Sequence, residues 1–126
     1  MGLCPLAAQD TADQEASYAR GLALYQQHCS SCHQEDGSGV PFLRMYPPLA
    51  QSDYLLADPD RSLRIIREGL QGEITVNGKT YDKVMAPIEL SPQEAADVMN
   101  YVLHSWDNQG PWYDAAQVEA VWEADR

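Results

Sequence analysis

The sequence predicts an all-α domain of four to five helices with one small β-hairpin near residues 73–81. Three observations carry that reading. Apolar and small residues recur at helical spacing from Thr11 to Cys29, again after Asp58 and again after Ser91. The pair Asn77-Gly78 stands between two short β-prone arms, which is a strong hairpin signal. The run Cys29-Ser30-Ser31-Cys32-His33 joins the first helical stretch to a segment rich in Gly and Pro. At 126 residues the chain is long enough for a modest core and too short for two ordinary domains.

Residues 1–12 read as a flexible N-terminal segment, or as a remnant left where an export signal was removed or replaced. Residues 13–126 read as one domain, with 106–126 a C-terminal extension. In the first helix Ala16, Ala19, Leu22 and Ala23 recur with Tyr18 and Tyr25, and Thr11 or Asp13 supplies the cap. From Gln34 to Leu49 the residues Gly37, Gly39, Pro41, Pro47 and Pro48 predict an irregular loop. Asp58-Pro59 then offers an N-cap and a first-turn proline, and Leu63, Ile65 and Ile66 continue a short helix until Gly69. The arms of the hairpin are Ile74-Thr75-Val76 and Lys79-Thr80-Tyr81. Ser91-Pro92-Gln93-Glu94 combines a capping box with proline at the first helical position, ahead of the stripe Ala95, Val98, Met99, Val102 and Leu103. That helix is expected to end near Ser105. After Gly110-Pro111, the run Asp114-Ala115-Ala116-Gln117 starts a last helix carrying Val118, Val121 and Trp122.

The charge is lopsided, with 19 acidic against 8 basic residues and a formal net charge of -11. Nucleic acid and anionic membrane surfaces are therefore poor partners. Residues 40–88 are balanced at six acids and six bases, whereas eight acids face one arginine from Glu89 to Arg126. No apolar run approaches the roughly 20 residues that span a bilayer. Met1-Gly2-Leu3 shows neither the charged nor the apolar region of an export signal. Cys4, the odd cysteine, is open between a lipid anchor and a plain thiol.

CxxCH is the attachment sequence for c-type haem. Two cysteines two residues apart can each add to one vinyl group of a single haem, and the histidine that follows can reach the iron. Cys29 and Cys32 are thus the expected thioether links and His33 the proximal ligand, with one haem c per chain. A zinc site would need two further ligands, and Cys4, His28 and His104 form no pair at zinc spacing. A thioredoxin-like site would lie between a strand and a helix, whereas the flanks here are helical and turn-like. The haem reading places the protein in the periplasm, since attachment to CxxCH occurs outside the bacterial cytoplasm.

The sixth iron position separates electron transfer from catalysis. Met85 is the candidate, in the loop Tyr81 to Pro87 that follows the hairpin and can cross the far face of a ring. Met1 is terminal, Met99 belongs to a helical stripe, and Met45 sits only twelve residues from His33. His28 is expected to face solvent, and His104 falls at a helix end, where the dipole favours a cation.

With these residues in place the chain resembles the class I c-type cytochromes, in particular bacterial single-haem members. Three motifs carry the likeness: Gly21-x-x-x-Tyr25-x-x-x-Cys29-x-x-Cys32-His33, then Pro47-Pro48-Leu49, then Met85 ahead of the helix with Val98, Tyr101 and Val102. The resemblance implies the cytochrome c fold around one covalently bound haem. It implies that Gly21 permits a close helix crossing, that Tyr25 and Tyr101 meet across it, that the Pro47 carbonyl orients His33, and that Leu49 packs on the ring. Leu55, Leu63, Ile66 and Val84 are expected to complete an apolar shell.

The function expected is one-electron transfer between periplasmic or membrane-associated redox proteins. The donor would be a dehydrogenase or reductase and the acceptor an oxidase or reductase. A haem enzyme or a gas-binding sensor is the alternative, and either would leave the sixth site open. The hairpin and the C-terminal extension resemble those of bacterial members that serve as subunits or fused domains of oxidoreductases.

Overall fold

Two helices crossing at a glycine carry the architecture. A computed structural model describes residues 6–124, with side chains from residue 11 onward. Cys4 and the Met1-Gly2-Leu3 start, on which the anchor and export-signal readings rest, lie outside the described residues. Among those residues are six α-helices and one two-stranded antiparallel ribbon, an all-α fold with a small hairpin as expected. The helices are α1 (Leu6–His28), α2 (Ser30–His33), α3 (Asp53–Ala57), α4 (Pro59–Glu68), α5 (Pro92–Leu103) and α6 (Ala115–Ala124). The ribbon pairs β1 (Ile74–Val76) with β2 (Lys79–Tyr81), and Ile74 stands opposite Tyr81.

At the crossing of α1 and α5, a Cβ on Gly21 would lie 2.0 Å from the Asp97 carbonyl oxygen and 2.8 Å from Tyr101 Cβ. Only glycine lets the backbones approach so closely. Around the contact point, Asp97 is 2 % exposed and fully partnered. Its carboxylate accepts from Ser17 Oγ at 2.7 Å, from Arg20 Nε and Nη2 at 2.8 and 3.0 Å, and from Gln93 Nε2 at 3.0 Å. A buried carboxylate without such donors would cost several kcal/mol. Because Arg20 is itself half-exposed, the cluster acts more by fixing the two helices in register than by Coulomb attraction.

An aromatic cluster continues the interface. Tyr101 meets Tyr18 and Tyr25 at ring separations of 5.0 and 5.3 Å, and Trp106 meets Tyr25 at 5.3 Å. Tyr25 is fully buried and its hydroxyl donates to the Gln34 carbonyl at 2.6 Å. Burial drives that phenol well above its usual range, so it stays protonated and keeps donating.

Local signals set most boundaries. The Asp58 side chain caps α4 and Gly69 ends it, while Ser91 and Glu94 form the full capping box of α5. Asp114 and Gln117 exchange side-chain to backbone bonds of 2.7 and 2.8 Å at the start of α6. The helix α1, however, starts at Leu6, so Thr11 and Asp13 lie inside it and do not cap it. Residues 6–12 contain no breaker, and Leu, Ala and Gln favour helix without any cap at Thr11. The helix α3 was not expected; at five residues it is too short to show periodicity, and Ser52 caps it by accepting from the Leu55 amide at 3.1 Å. The loop from Gln34 to Leu49 contains a 3-10 turn at Phe42–Arg44 and a bridge between Val40 and Tyr46.

The segment after Ser105 is sewn into the core. Asn100 bonds both backbone groups of Tyr113, Asn108 donates to the Leu49 and Val102 carbonyls, and Trp122 Nε1 donates to the Leu63 carbonyl at 2.9 Å. His104 stacks on Trp112 at 3.8 Å and 8°, and burial lowers its pKa, opposite to the cationic role expected from its helix-end position. Gly21→Ala is expected to cost about 3 kcal/mol, since backbone cannot yield as a flexible side chain does. A fall in the denaturation midpoint with an unchanged m-value would verify it.

Candidate cofactor site

The helix α1 ends at His28, and Cys29 breaks the helical path before the single turn α2 resumes at Ser30. The amides of Cys32 and His33 both donate to the Cys29 carbonyl, at 3.2 and 3.0 Å. This tight turn places Cys29, Cys32 and His33 along one side of an apolar cleft. The cleft has two adjoining lobes of about 110 and 340 Å³, and Cys29, His33 and Met85 line both. Cys32 lines the outer lobe and Leu49 the inner one, while Pro47 borders both. All six residues singled out in the sequence therefore meet at one place.

His33 Nδ1 lies 2.9 Å from the Pro47 carbonyl oxygen. A carbonyl only accepts, so Nδ1 carries the proton and donates, which leaves Nε2 as the free lone pair of the neutral ring. Burial lowers the His33 pKa, opposed by the bond to Pro47, and so favours the uncharged ring. The carbonyl is itself well anchored. Val40 and Tyr46 exchange backbone bonds of 2.8 and 3.1 Å just before it, and the Leu49 and Ala50 amides both donate to Gly37 just after it. Burial also pushes the Cys29 thiol up to about 11.

Met85 reaches the cleft from the loop that follows the hairpin. Its amide donates to the Leu70 carbonyl and its carbonyl accepts from the Leu70 amide, both at 2.9 Å. Of the other methionines, Met45 lines only the outer lobe and Met99 only the inner. Ile65 and Ile66 from α4, Val98 and Val102 from α5, and Ile74 from β1 form the apolar walls. Leu55 and Ile66 line the inner lobe and Val84, 70 % exposed, lines the outer one, whereas Leu63 is buried but borders neither, its carbonyl accepting from Trp122. His28, expected to face solvent, is half-buried and lines the outer lobe.

The wall contributed by Leu70, Ile74 and Ile88 was not foreseen. The hairpin and the helix stop were legible as local structure, but their apolar arms give no sign of what they face. Among the described residues no cluster of three or more His, Cys, Asp or Glu side chains is placed to hold a metal ion. An apolar cleft with a neutral imidazole, a thioether and two free thiols is instead a donor set suited to haem iron and its two thioether links. These residues fit a haem c.

The family model for cytochrome c matches residues 18–106. The chain belongs to the cytochrome c family. Cytochrome c-552 of Thermus thermophilus is 36 % identical over 93 residues, a match covering 70 % of this chain and 69 % of that protein. The cytochrome c subunit of a quinone alcohol dehydrogenase from Gluconobacter oxydans is 35 % identical over 95 residues, covering 72 % of this chain and 19 % of the subunit. Its counterpart in Komagataeibacter europaeus is 32 % identical over 111 residues, covering 85 % of this chain and 23 % of the subunit. The chain thus spans about a fifth of these longer subunits.

Family membership makes this a haem-based electron-transfer protein, with haem c and its iron covalently bound, and not a catalyst in its own right. Bacterial members are typically periplasmic or otherwise extracytoplasmic. No helix among the described residues is long and apolar enough to cross a membrane. The apolar wall is expected to hold the reduction potential up, because an apolar shell disfavours the extra charge of the oxidised state. Val102→Thr, nearly isosteric, puts a hydroxyl in that wall and is expected to lower the potential by on the order of tens of mV, where 59 mV is tenfold for one electron. Spectroelectrochemical titration of the holoprotein provides the check.

Proposed function

We propose that this chain is a one-electron carrier whose single haem c is tethered through Cys29 and Cys32 and held between His33 and Met85. The observation that carries the reading is the pairing of two donors in one apolar cleft. His33 has its Nδ1 locked to Pro47 and its other nitrogen free, and Met85 is the methionine that borders both lobes alongside it. Bound there, haem supplies a one-electron couple between ferric and ferrous iron.

The protein's part is to hold and to exclude. The Cys29–His33 turn presents both thiols, Pro47 orients the imidazole, and Leu49 with the α4 and α5 walls gives the cleft an apolar lining. With His33 and Met85 both holding the iron, substrate and gas would find no open site on it, which supports a carrier over a haem enzyme or gas sensor. Methionine as sixth ligand also raises the potential.

We place the carrier in the periplasm, between a donor dehydrogenase or reductase and an acceptor oxidase or reductase. Similarity to the quinone alcohol dehydrogenase subunits favours a second form of the same reading, in which this domain works within or beside a dehydrogenase. Among the described residues Lys83 is the one permanently charged residue lining the outer lobe, so this mouth is far less acidic than the chain as a whole. A partner surface with few charges is the corresponding expectation.

Met85→Ala tests the ligand assignment. The ferric far-red methionine-to-iron charge-transfer band should vanish, the ferrous form should bind carbon monoxide, and the potential should fall by on the order of 0.1 V, a fraction of the roughly 0.8 V that axial ligands span. A variant that keeps the band and excludes carbon monoxide would overturn the assignment.

A further inference from the structure

The loop that delivers Met85 runs along the outer lobe of the cleft. Asp82, Lys83, Val84, Ala86 and Pro87 are all exposed, and Met85 is only half-buried. What ties the loop down is the C-terminal end of α4. Leu70 exchanges both backbone bonds with Met85, and the Ile88 amide donates to the Ile66 carbonyl at 2.8 Å. The residue between helix and bridge is Gly69, whose amide still closes the helix by donating to Ile65 at 2.7 Å. Its φ is +78°, and a Cβ there would lie 2.6 Å from the Met85 carbonyl oxygen and 2.9 Å from Pro87 Cδ.

We propose that Gly69 is a positioning residue for Met85: by turning the chain at the end of α4 and leaving no side chain, it lets Leu70 clamp the methionine backbone. The inference rests on the reading of Met85 as sixth ligand. Both polar groups of the Met85 backbone are bonded before the thioether binds anything, so less freedom is lost when it does. Any residue but glycine at 69 pushes directly on the carbonyl that completes the clamp. Gly72 separates this effect from backbone strain, since it too has a positive φ, +96°, but nothing lies within 4 Å of its Cβ position.

The test compares wild type, Gly69→Ala, Gly72→Ala and Met85→Ala as holoproteins, using imidazole as a competitor for the ferric iron. If Gly69→Ala raises the fraction with free methionine about tenfold, apparent imidazole affinity rises by the same factor. Its far-red band should also fade at a lower temperature, and Gly72→Ala should match wild type in both. Wild-type affinity in Gly69→Ala, or equal tightening in both alanine variants, overturns the clamp. If Met85→Ala itself keeps wild-type affinity and band, the ligand reading has failed; if it opens the site while Gly69→Ala does not, the clamp alone has failed. Should Gly69→Ala not take up haem, amide hydrogen exchange in the wild-type holoprotein decides. Leu70 and Met85 amides protected as strongly as those of α4 support the clamp, and freely exchanging ones refute it.

Discussion

With the Asp97 carbonyl oxygen 2.0 Å from where a Gly21 Cβ would sit, α1 and α5 have one available spacing and one available register. Everything at the cofactor cleft inherits that constraint. The helix α1 ends in the turn bearing Cys29, Cys32 and His33, and α5 supplies Val98 and Val102 to the facing wall. A shift of one helix along the other would move the imidazole relative to the apolar surface it works against. The fully bonded Asp97 carboxylate and the tilted stack of Tyr18, Tyr25 and Tyr101 lock the same crossing on either side of the glycine.

From that crossing the cleft is closed in two directions by backbone hydrogen bonds, which are insensitive to the side chains that carry the chemistry. On the histidine side, Val40 and Tyr46 hold the strand that ends in the Pro47 carbonyl. On the methionine side, Leu70 holds Met85, and α6 steadies α4 from behind through Trp122 and the Leu63 carbonyl. The C-terminal segment is thus part of the scaffold and not an appendage. Asn100 and Asn108 do the joining, each buried and each satisfied on both its oxygen and its nitrogen.

The elements with strong local chemistry were legible in the chain: the Asn77-Gly78 hairpin, the Ser91 capping box, and the Asp58-Pro59 start with its Gly69 stop. They rest on interactions within a few residues, which sequence displays directly. Short α3 escaped because one turn shows no periodicity, and the start of α1 was placed late because polar residues suited to capping also sit comfortably on an exposed helix face. His28 departs from its expected solvent-facing place for a related reason. Whether a side chain beside a ligand or thiol turns inward depends on the path of the chain, not on residue type.

The chain by itself determined the site's chemistry. Cys29, Cys32 and His33 are contiguous, and the spacing that suits two vinyl groups and one iron is a property of five residues. It also supplied the family, through motifs whose order is readable in one dimension. Tertiary structure alone decided that Leu70 and Gly69, fifteen or so residues upstream, hold the Met85 backbone at the cleft. The physical reason is that a clamp between backbone groups leaves no pattern of side chains to read. Its one trace in the sequence is a glycine, and a glycine that ends a helix looks the same as one that also makes room for a neighbour's carbonyl.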